Sequence, residues 1–412
     1  MLDPGHMPHQ RLDVTLAAEV SALRDSGVAK GSEAVIVGVE PAREGMGPRY
    51  LLEGSERRYL RMNSNGYLGL SRHPSVVRAE EEVTREFGVG PGAVRFISGT
   101  YQPHVDLEQR LSQFHDRASS MIFSSAYATV VSTLVSLISP ETVVLSDELN
   151  HNCIISALRL ARPASREMYP HLDHAALDER LTRASGATRA IVVTDGVFSM
   201  RGDFADLAAL MEIARAHDDE FEENVVLVVD DSHGVGAFGE TGRGTEEATG
   251  SDPVDVLIGT LGKAFGVNGG YVTGSAHLVD FLREKAPMYI YSNPITVGEA
   301  AAATASLSVV DSDEGRSLLG HLSAMTHKFE QGLVELGFET IPGPHPVVPL
   351  MVRDTDRTSA LVGHLNENGV LATGLNFPVV PKGDEEIRFQ VNADHTAQDI
   401  DFALEVLAAF NG

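Results

Sequence analysis

The stretch Val225-Val226-Leu227-Val228-Val229-Asp230-Asp231-Ser232-His233 decides the fold. Five apolar, mostly β-branched residues without polar alternation describe a strand buried on both faces, the habit of a parallel sheet covered by helices. The run then stops on two carboxylates, a hydroxyl and an imidazole. Open α/β sheets bind ligands beyond the carboxyl ends of their strands, so the residues that follow such a run are where chemistry is sought.

Four more apolar runs lie on either side, at residues 120–123, 142–145, 190–193 and 254–258, with helix-length segments such as 206–217 between them. Repeated βα units of this kind predict an α/β fold with a mostly parallel sheet. Ahead of them come a helix over about 10–25 and a short strand pair ending near Arg61-Met62. Beyond about residue 300 a long helical region runs to Glu335. Strands at 347–350, 370–373 and 386–391 follow, with helices at 357–368 and 396–410, as in a smaller α+β unit. The expected division is an N-terminal helix and arm (1–62), a large α/β domain (63–300) and a C-terminal α+β domain (301–412).

Of the 412 residues 43% are apolar and 22% charged, which is globular composition. Lys+Arg 32 against Asp+Glu 58 leaves a net charge of −26, which argues against nucleic acid and anionic membranes as partners. A single cysteine, Cys153, permits no intrachain disulfide and no cysteine-based metal cluster. The first twenty residues show no cationic stretch leading into an apolar core, and the longest apolar stretch, 126–138, is broken by Thr and Ser. The expectation is a soluble, cytoplasmic protein without a bound metal.

Five positions at strand ends describe one site. Asp230 closes a buried strand, and a carboxylate there requires a cationic partner; the alternative is a helix cap. Lys263, in Gly259-Thr260-Leu261-Gly262-Lys263-Ala264-Phe265-Gly266, has apolar neighbours that lower its pKa and free its amine for a Schiff base; the alternative is a snorkelling surface lysine. The other four lysines, 30, 285, 328 and 382, sit in polar or loop contexts. Ser124-Ser125-Ala126-Tyr127-Ala128 opens a helix after a buried strand, which makes either an anion site of backbone N–H groups or a plain capped start. His151 follows the second run and Ser199 the third. An anion-binding helix start, a desolvated lysine and a buried carboxylate together match pyridoxal 5′-phosphate.

Asn65-Gly66-Tyr67-Leu68-Gly69-Leu70, Val94-Arg95-Phe96-Ile97-Ser98-Gly99-Thr100, Asp230-Asp231-Ser232-His233 and Thr260-Leu261-Gly262-Lys263 occur in this order. In that respect the chain resembles the α-oxoamine synthases, fold-type I pyridoxal-phosphate enzymes that condense an amino acid with an acyl-CoA. The resemblance runs from about residue 45 to the C-terminus. It implies Lys263 as the Schiff-base lysine and proton acceptor, Asp230 against the pyridine nitrogen, His233 on the phenolic oxygen and His151 stacked on the ring. It further implies Ala126, Tyr127 and Thr260 as phosphate contacts, Ser199 as a hydroxyl beside the ring, and Asn65 and Arg388 as holders of the substrate carboxylate. Read without the family, Arg388 is an ordinary surface arginine and Cys153 a buried helix residue.

AVRFISGT (93–100) and Phe377-Pro378-Val379-Val380-Pro381-Lys382-Gly383 lean toward the 2-amino-3-ketobutyrate CoA ligase (glycine C-acetyltransferase) branch. Tyr291-Ser292-Asn293-Pro294 departs from it, with Pro294 where relatives carry serine. The resemblance puts this loop near the cofactor phosphate of a neighbouring subunit, served by Ser292, and near the acyl-CoA entrance, so a homodimer is implied. Glycine or another small amino acid is the implied acceptor. A fold-type I aminotransferase shares the lysine, aspartate and arginine but not the Asn-Gly-Tyr-Leu-Gly-Leu and Ser-Gly-Thr stretches together. A non-catalytic heterodimer subunit tends to lose the lysine. A nicotinamide dehydrogenase is disfavoured because no buried strand precedes the glycines at 88–92.

Overall fold

The computed structural model describes residues 9–26, 29, 31, 33–377 and 379–411; Lys30, Pro378 and the first eight residues of the expected arm lie outside the described residues. The helix Gln10–Asp25 forms as expected and buries none of its side chains. Three strands follow rather than a pair: β1 (Ile36–Glu40), β2 (Arg49–Leu52) and β3 (Arg58–Arg61). β1 escapes a sequence pattern because Gly38 interrupts its short apolar run and its first two residues are exposed.

The central sheet has seven strands: β4 (Ser119–Phe123), β5 (Thr142–Asp147), β6 (Ser165–Tyr169), β7 (Arg189–Asp195), β8 (Val225–Asp230), β9 (Val256–Thr260) and β10 (Gly270–Gly274). Their order is β4-β10-β9-β8-β7-β5-β6, and β10 alone runs against the other six. All five apolar runs became strands, and β7, β8 and β9 are buried almost throughout. Two strands had no such run. β6, at the sheet edge, alternates between half-buried and exposed residues, and β10 is three residues between two glycines. β10 sets the geometry of the site, because Gly270 pairs with Phe123 on one side and with Thr260 on the other. The chain leaves β4 and β9 at those two residues, so both exits open onto one rim.

The C-terminal part contains β11 (Glu339–Thr340), β12 (Val347–Met351), β13 (Val370–Leu371), β14 (Thr373–Leu375) and β15 (Glu386–Gln390). β11, β12, β15 and β14 form an antiparallel sheet in that order. The single strand expected over 370–373 is split: β14 joins this sheet, whereas β13 pairs in parallel with β3. The long helical region is two helices, Val297–Val310 and Asp313–Glu335, the second capped by Ser312 accepting from the Gly315 N–H. One core cluster runs from Tyr67 through Phe265 and Phe329 to Phe389, so the three sheets share packing. Among the described residues, no helix is long and apolar enough to cross a membrane.

Buried charge ties the helix Gln102–Phe114 to β4 near its carboxyl end. Glu108 accepts from both terminal nitrogens of Arg95 at 3.1 Å, from Arg283 at 2.9 Å and from the Ile122 N–H at 3.1 Å. Arg95 opens a single π-turn, Arg95–Gly99, that leaves Phe96 and Ile97 pointing outward. Removing one partner of a buried pair strands the others, so Glu108→Gln should lower unfolding free energy by about 3 kcal/mol, read from denaturant titration.

Candidate active site

At the carboxyl ends of β4, β7, β8 and β9 lies a cleft with about 370 Å³ of empty space, lined by Ala126, Tyr127, His151, Cys153, Asp195, Val197, Ser199, Asp230, Ser232, His233 and Lys263. Seven residues singled out in the sequence meet here: Ala126, Tyr127, His151, Ser199, Asp230, His233 and Lys263. Asn65, Thr260, Arg388 and Ser292 lie off its wall.

Lys263 follows β9 on a turn that folds back into β10. The Thr260 hydroxyl accepts from the Gly262 N–H at 3.1 Å and donates to the Gly269 carbonyl at 3.2 Å, and the Gly266 N–H donates to the Lys263 carbonyl. Thr260 thus braces the lysine turn. Burial lowers the pKa of Lys263, an effect that the charges of Asp230 and Asp195 oppose without cancelling. The snorkelling alternative is excluded, and burial favours the neutral amine.

Asp230 is buried, and one of its oxygens accepts from the Ser232 N–H at 3.1 Å and the Ser232 hydroxyl at 2.5 Å. The other is 3.5 Å from the Cys153 thiol. Among the described residues none of these donors is a cation, so the carboxyl makes no ion pair within hydrogen-bond distance and faces the cleft. In register beside it, Asp195 closes β7. One Asp195 oxygen accepts from the His151 N–H at 3.0 Å, and the other is buried without a partner among the described residues. Burial, reinforced by the charge of Asp230, pushes the Asp195 carboxyl well above the usual range.

His151 caps the helix Asn152–Leu160 and its Nδ1 lies 2.9 Å from the Cys153 thiol. Burial holds His151 toward its neutral form, with Lys263 assisting and Asp230 opposing. His233 is neutral for the same reason. Its Nδ1 is 2.7 Å from the Tyr67 hydroxyl, and its carbonyl lies 2.9 Å from Nε2 of His345.

The helix Ala126–Leu137 opens onto the cleft, with Ser125 capping it through the Ala128 N–H. The first N–H groups of any helix lack intrahelical acceptors, so those of Ala126 and Tyr127 are available to an anion. A Cβ on Gly270 would come within 2.4 Å of the Ala126 backbone, so only glycine lets β10 lie against this helix start. The Tyr127 hydroxyl is engaged with Asn152 and Ser156.

Arg388 is not a surface arginine. It projects from β15 beside the cleft, and its Nη1 donates to the Ser199 carbonyl at 3.1 Å. Its Nε is buried without a partner among the described residues, as is Oδ1 of Asn65. Ser292 sits on a partly exposed turn next to the 81%-exposed Tyr291 and is not brought to this cleft. Sequence reasoning assigned no role to Asp195 or Ser232, although Asp195 ends its strand as Asp230 does. Cys153 is a buried helix residue as expected, but it also lines the cleft.

A profile of the aminotransferase class I and II family matches residues 57–407. The chain belongs to this family. A mitochondrial 2-amino-3-ketobutyrate coenzyme A ligase from Mus musculus is 35% identical over 409 residues, covering 98% of this chain and 94% of the relative. An 8-amino-7-oxononanoate synthase from Marinobacter nauticus is 40% identical over 359 residues, covering 87% and 88%. The structure of a Sphingomonas wittichii serine palmitoyltransferase superimposes with a TM-score of 0.87 at 26% identity, covering 96% of each chain. These similarities place the chain among the α-oxoamine synthases of the class I and II family, with the fold-type I architecture. Pyridoxal phosphate is the cofactor of this class I and II fold, and the cleft fits it: a buried amine, an unpaired carboxylate and a free helix start face one space.

A strut supports the Ser199 turn. His171 bridges Asp147 at 3.0 Å and Asp203 at 3.2 Å while its ring packs edge-on against Phe198. Burial lowers its pKa, but the two carboxylates outweigh that and raise it to about 9. The folded pKa exceeds the ordinary 6.5, so this contribution to stability is complete below about pH 6.5 and lost as pH rises through about 9. The stability gap between wild type and His171→Gln should therefore shrink between pH 6 and pH 10, measured by urea unfolding at each pH.

Proposed function

We propose that the chain is a pyridoxal-phosphate-dependent C-acyltransferase that joins a small amino acid, glycine foremost, to an acyl-CoA and releases CoA. The observation that carries this is the buried amine of Lys263 sharing a cleft with the unpaired Asp230 while Arg388 reaches the wall at Ser199. The relatives' names supply the reaction class: each of the two names describes a product with an amino group one carbon from a ketone, and one names coenzyme A.

When bound, the cofactor supplies an electron sink for the pair left on the substrate Cα. Asp230 would hold its ring nitrogen, His233 its phenolic oxygen, and the N–H groups of Ala126 and Tyr127 its phosphate. His151 would cover the ring face. The Arg388 guanidinium, with Asn65, fixes the substrate carboxylate through charge-assisted hydrogen bonds. Lys263 takes the Cα proton. A bond forms between Cα and the acyl carbonyl carbon, the thioester C–S bond breaks, and the sulfur leaves with a proton as free CoA. Loss of CO₂ from the β-keto acid is not required by these groups.

Holoenzyme given glycine and acetyl-CoA should release CoA, followed with a thiol reagent, without forming glyoxylate. Formation of the keto acid without CoA release would instead identify an aminotransferase. Lys263→Ala should lose the visible absorption of the holoenzyme and lower turnover by about three orders of magnitude. Arg388→Ala should raise KM for the amino acid about ten- to a hundred-fold.

The same reading makes the enzyme a cytoplasmic homodimer. The helix Gln10–Asp25 exposes Leu12, Val14, Leu16, Val20 and Leu23, and Phe96 and Ile97 are each 67% exposed. Apolar surface of this extent suits a partner subunit, whose Ser292 turn would complete the phosphate site. Analytical ultracentrifugation should give twice the 44.2 kDa chain mass, and dilution that yields monomer should abolish activity.

A further inference from the structure

A second cavity adjoins the cleft. It has about 630 Å³ of empty space and shares Ser199 with the cofactor cleft. Its walls are mostly apolar, from Phe198, Met200, Met351, Val380 and Pro381; Arg201 and Asp384 also line it, and Glu386 is its one deeply buried acid. Glu386 and Arg388 stand two residues apart on β15, so both side chains project from the same face. Arg388 touches the Ser199 carbonyl at the boundary between the two spaces, and Glu386 lies beyond it.

Glu386 is 2% exposed, and its Oε1 is buried without a hydrogen-bond partner among the described residues. The charged groups that bear on it are Arg388 on its own strand, Arg201 and Asp203 from the Ser199 turn, and Asp384 from the segment before β15. Three of these have partners of their own: Arg201 donates to Asp203, and Asp384 accepts from Arg353. Burial pushes the Glu386 carboxyl up to about 8, so at neutral pH it can both donate and accept a hydrogen bond. A buried carboxyl left unmatched is a cost with no structural return, and natural interiors keep such groups paired.

We infer that this cavity receives the acyl chain of the thioester, and that Glu386 selects chains ending in a hydrogen-bonding oxygen, a hydroxyl or a carboxyl, over plain hydrocarbon chains. The inference rests on the condensation reading, in which the amino acid is anchored at Arg388 and the acyl group is the remaining substituent to be housed. A site built around a buried polar group rejects an analogue that leaves it unpaired, whereas an apolar wall alone discriminates weakly.

The test compares 6-hydroxyhexanoyl-CoA, adipyl-CoA and hexanoyl-CoA, with glycine and holoenzyme. At least one of the polar-ended donors should exceed hexanoyl-CoA in kcat/KM by about tenfold or more, the discrimination expected from an unpaired buried group. Glu386→Leu should reverse that order and Glu386→Gln should restore it, with cofactor absorbance unchanged in both. Met200→Trp, which narrows the cavity, should depress all three six-carbon donors while sparing acetyl-CoA. Equal or better use of hexanoyl-CoA by the wild type, or a ratio unmoved by Glu386→Leu, overturns the inference. Failure of the condensation reading looks different, since no thioester, acetyl-CoA included, would then release CoA. In that event calorimetric binding of 6-hydroxyhexanoate, adipate and hexanoate to the holoenzyme decides: binding of hexanoate as tight as that of the other two overturns the inference.

Discussion

The contact on which the site depends is the one between Gly270 and the first turn of the helix Ala126–Leu137. A reversed strand, β10, is inserted between two strands that run the same way, and its first residue is flanked by the ends of both. The anion-binding helix start and the lysine turn are thereby held a strand's width to either side of one residue. A side chain at that residue would force the helix away, since its Cβ would overlap the Ala126 backbone. The spacing between this helix start and the lysine turn is therefore set by main chain, which is stiffer than any side-chain contact.

Around that frame the cleft concentrates groups whose charges burial suppresses. Lys263, His151 and His233 are all pushed toward neutrality, and Asp195 toward its protonated form. Asp230 stands apart, held by Ser232 and facing the cleft. Of the acidic residues behind the chain's net charge of −26, Asp195 and Asp230 are the two that line the cleft.

Much of this was legible because buried parallel strands leave a strong signature. The run ending at Asp230 announced both a central strand and a polar rim, and Lys263 was singled out by its apolar neighbours. β10 was not legible: Tyr-Val-Thr between two glycines resembles a turn, and only tertiary pairing makes it a strand. β6 was hidden by edge exposure, and β13 and β14 by their shortness, since two pairing partners divide what looks like one segment. Arg388 was misjudged in isolation because an arginine on a strand gives no local sign of burial. Asp195 carries the same sign as Asp230, a carboxylate ending an apolar run.

The parallel pairing of β13 with β3 has a consequence for how the chain is made. Residues 60 and 61 hydrogen-bond to a strand whose members are Val370 and Leu371, about three hundred positions later. During synthesis the antiparallel β1-β2-β3 unit emerges early but keeps the β3 edge open until Val370 and Leu371 have left the ribosome. At ordinary elongation rates that interval is roughly 15–60 s. The central sheet can assemble in the meantime, because all of its strands lie between residues 119 and 274. Closing the edge of β3 is then a late, long-range event, and until it happens that open edge is available for pairing between nascent chains.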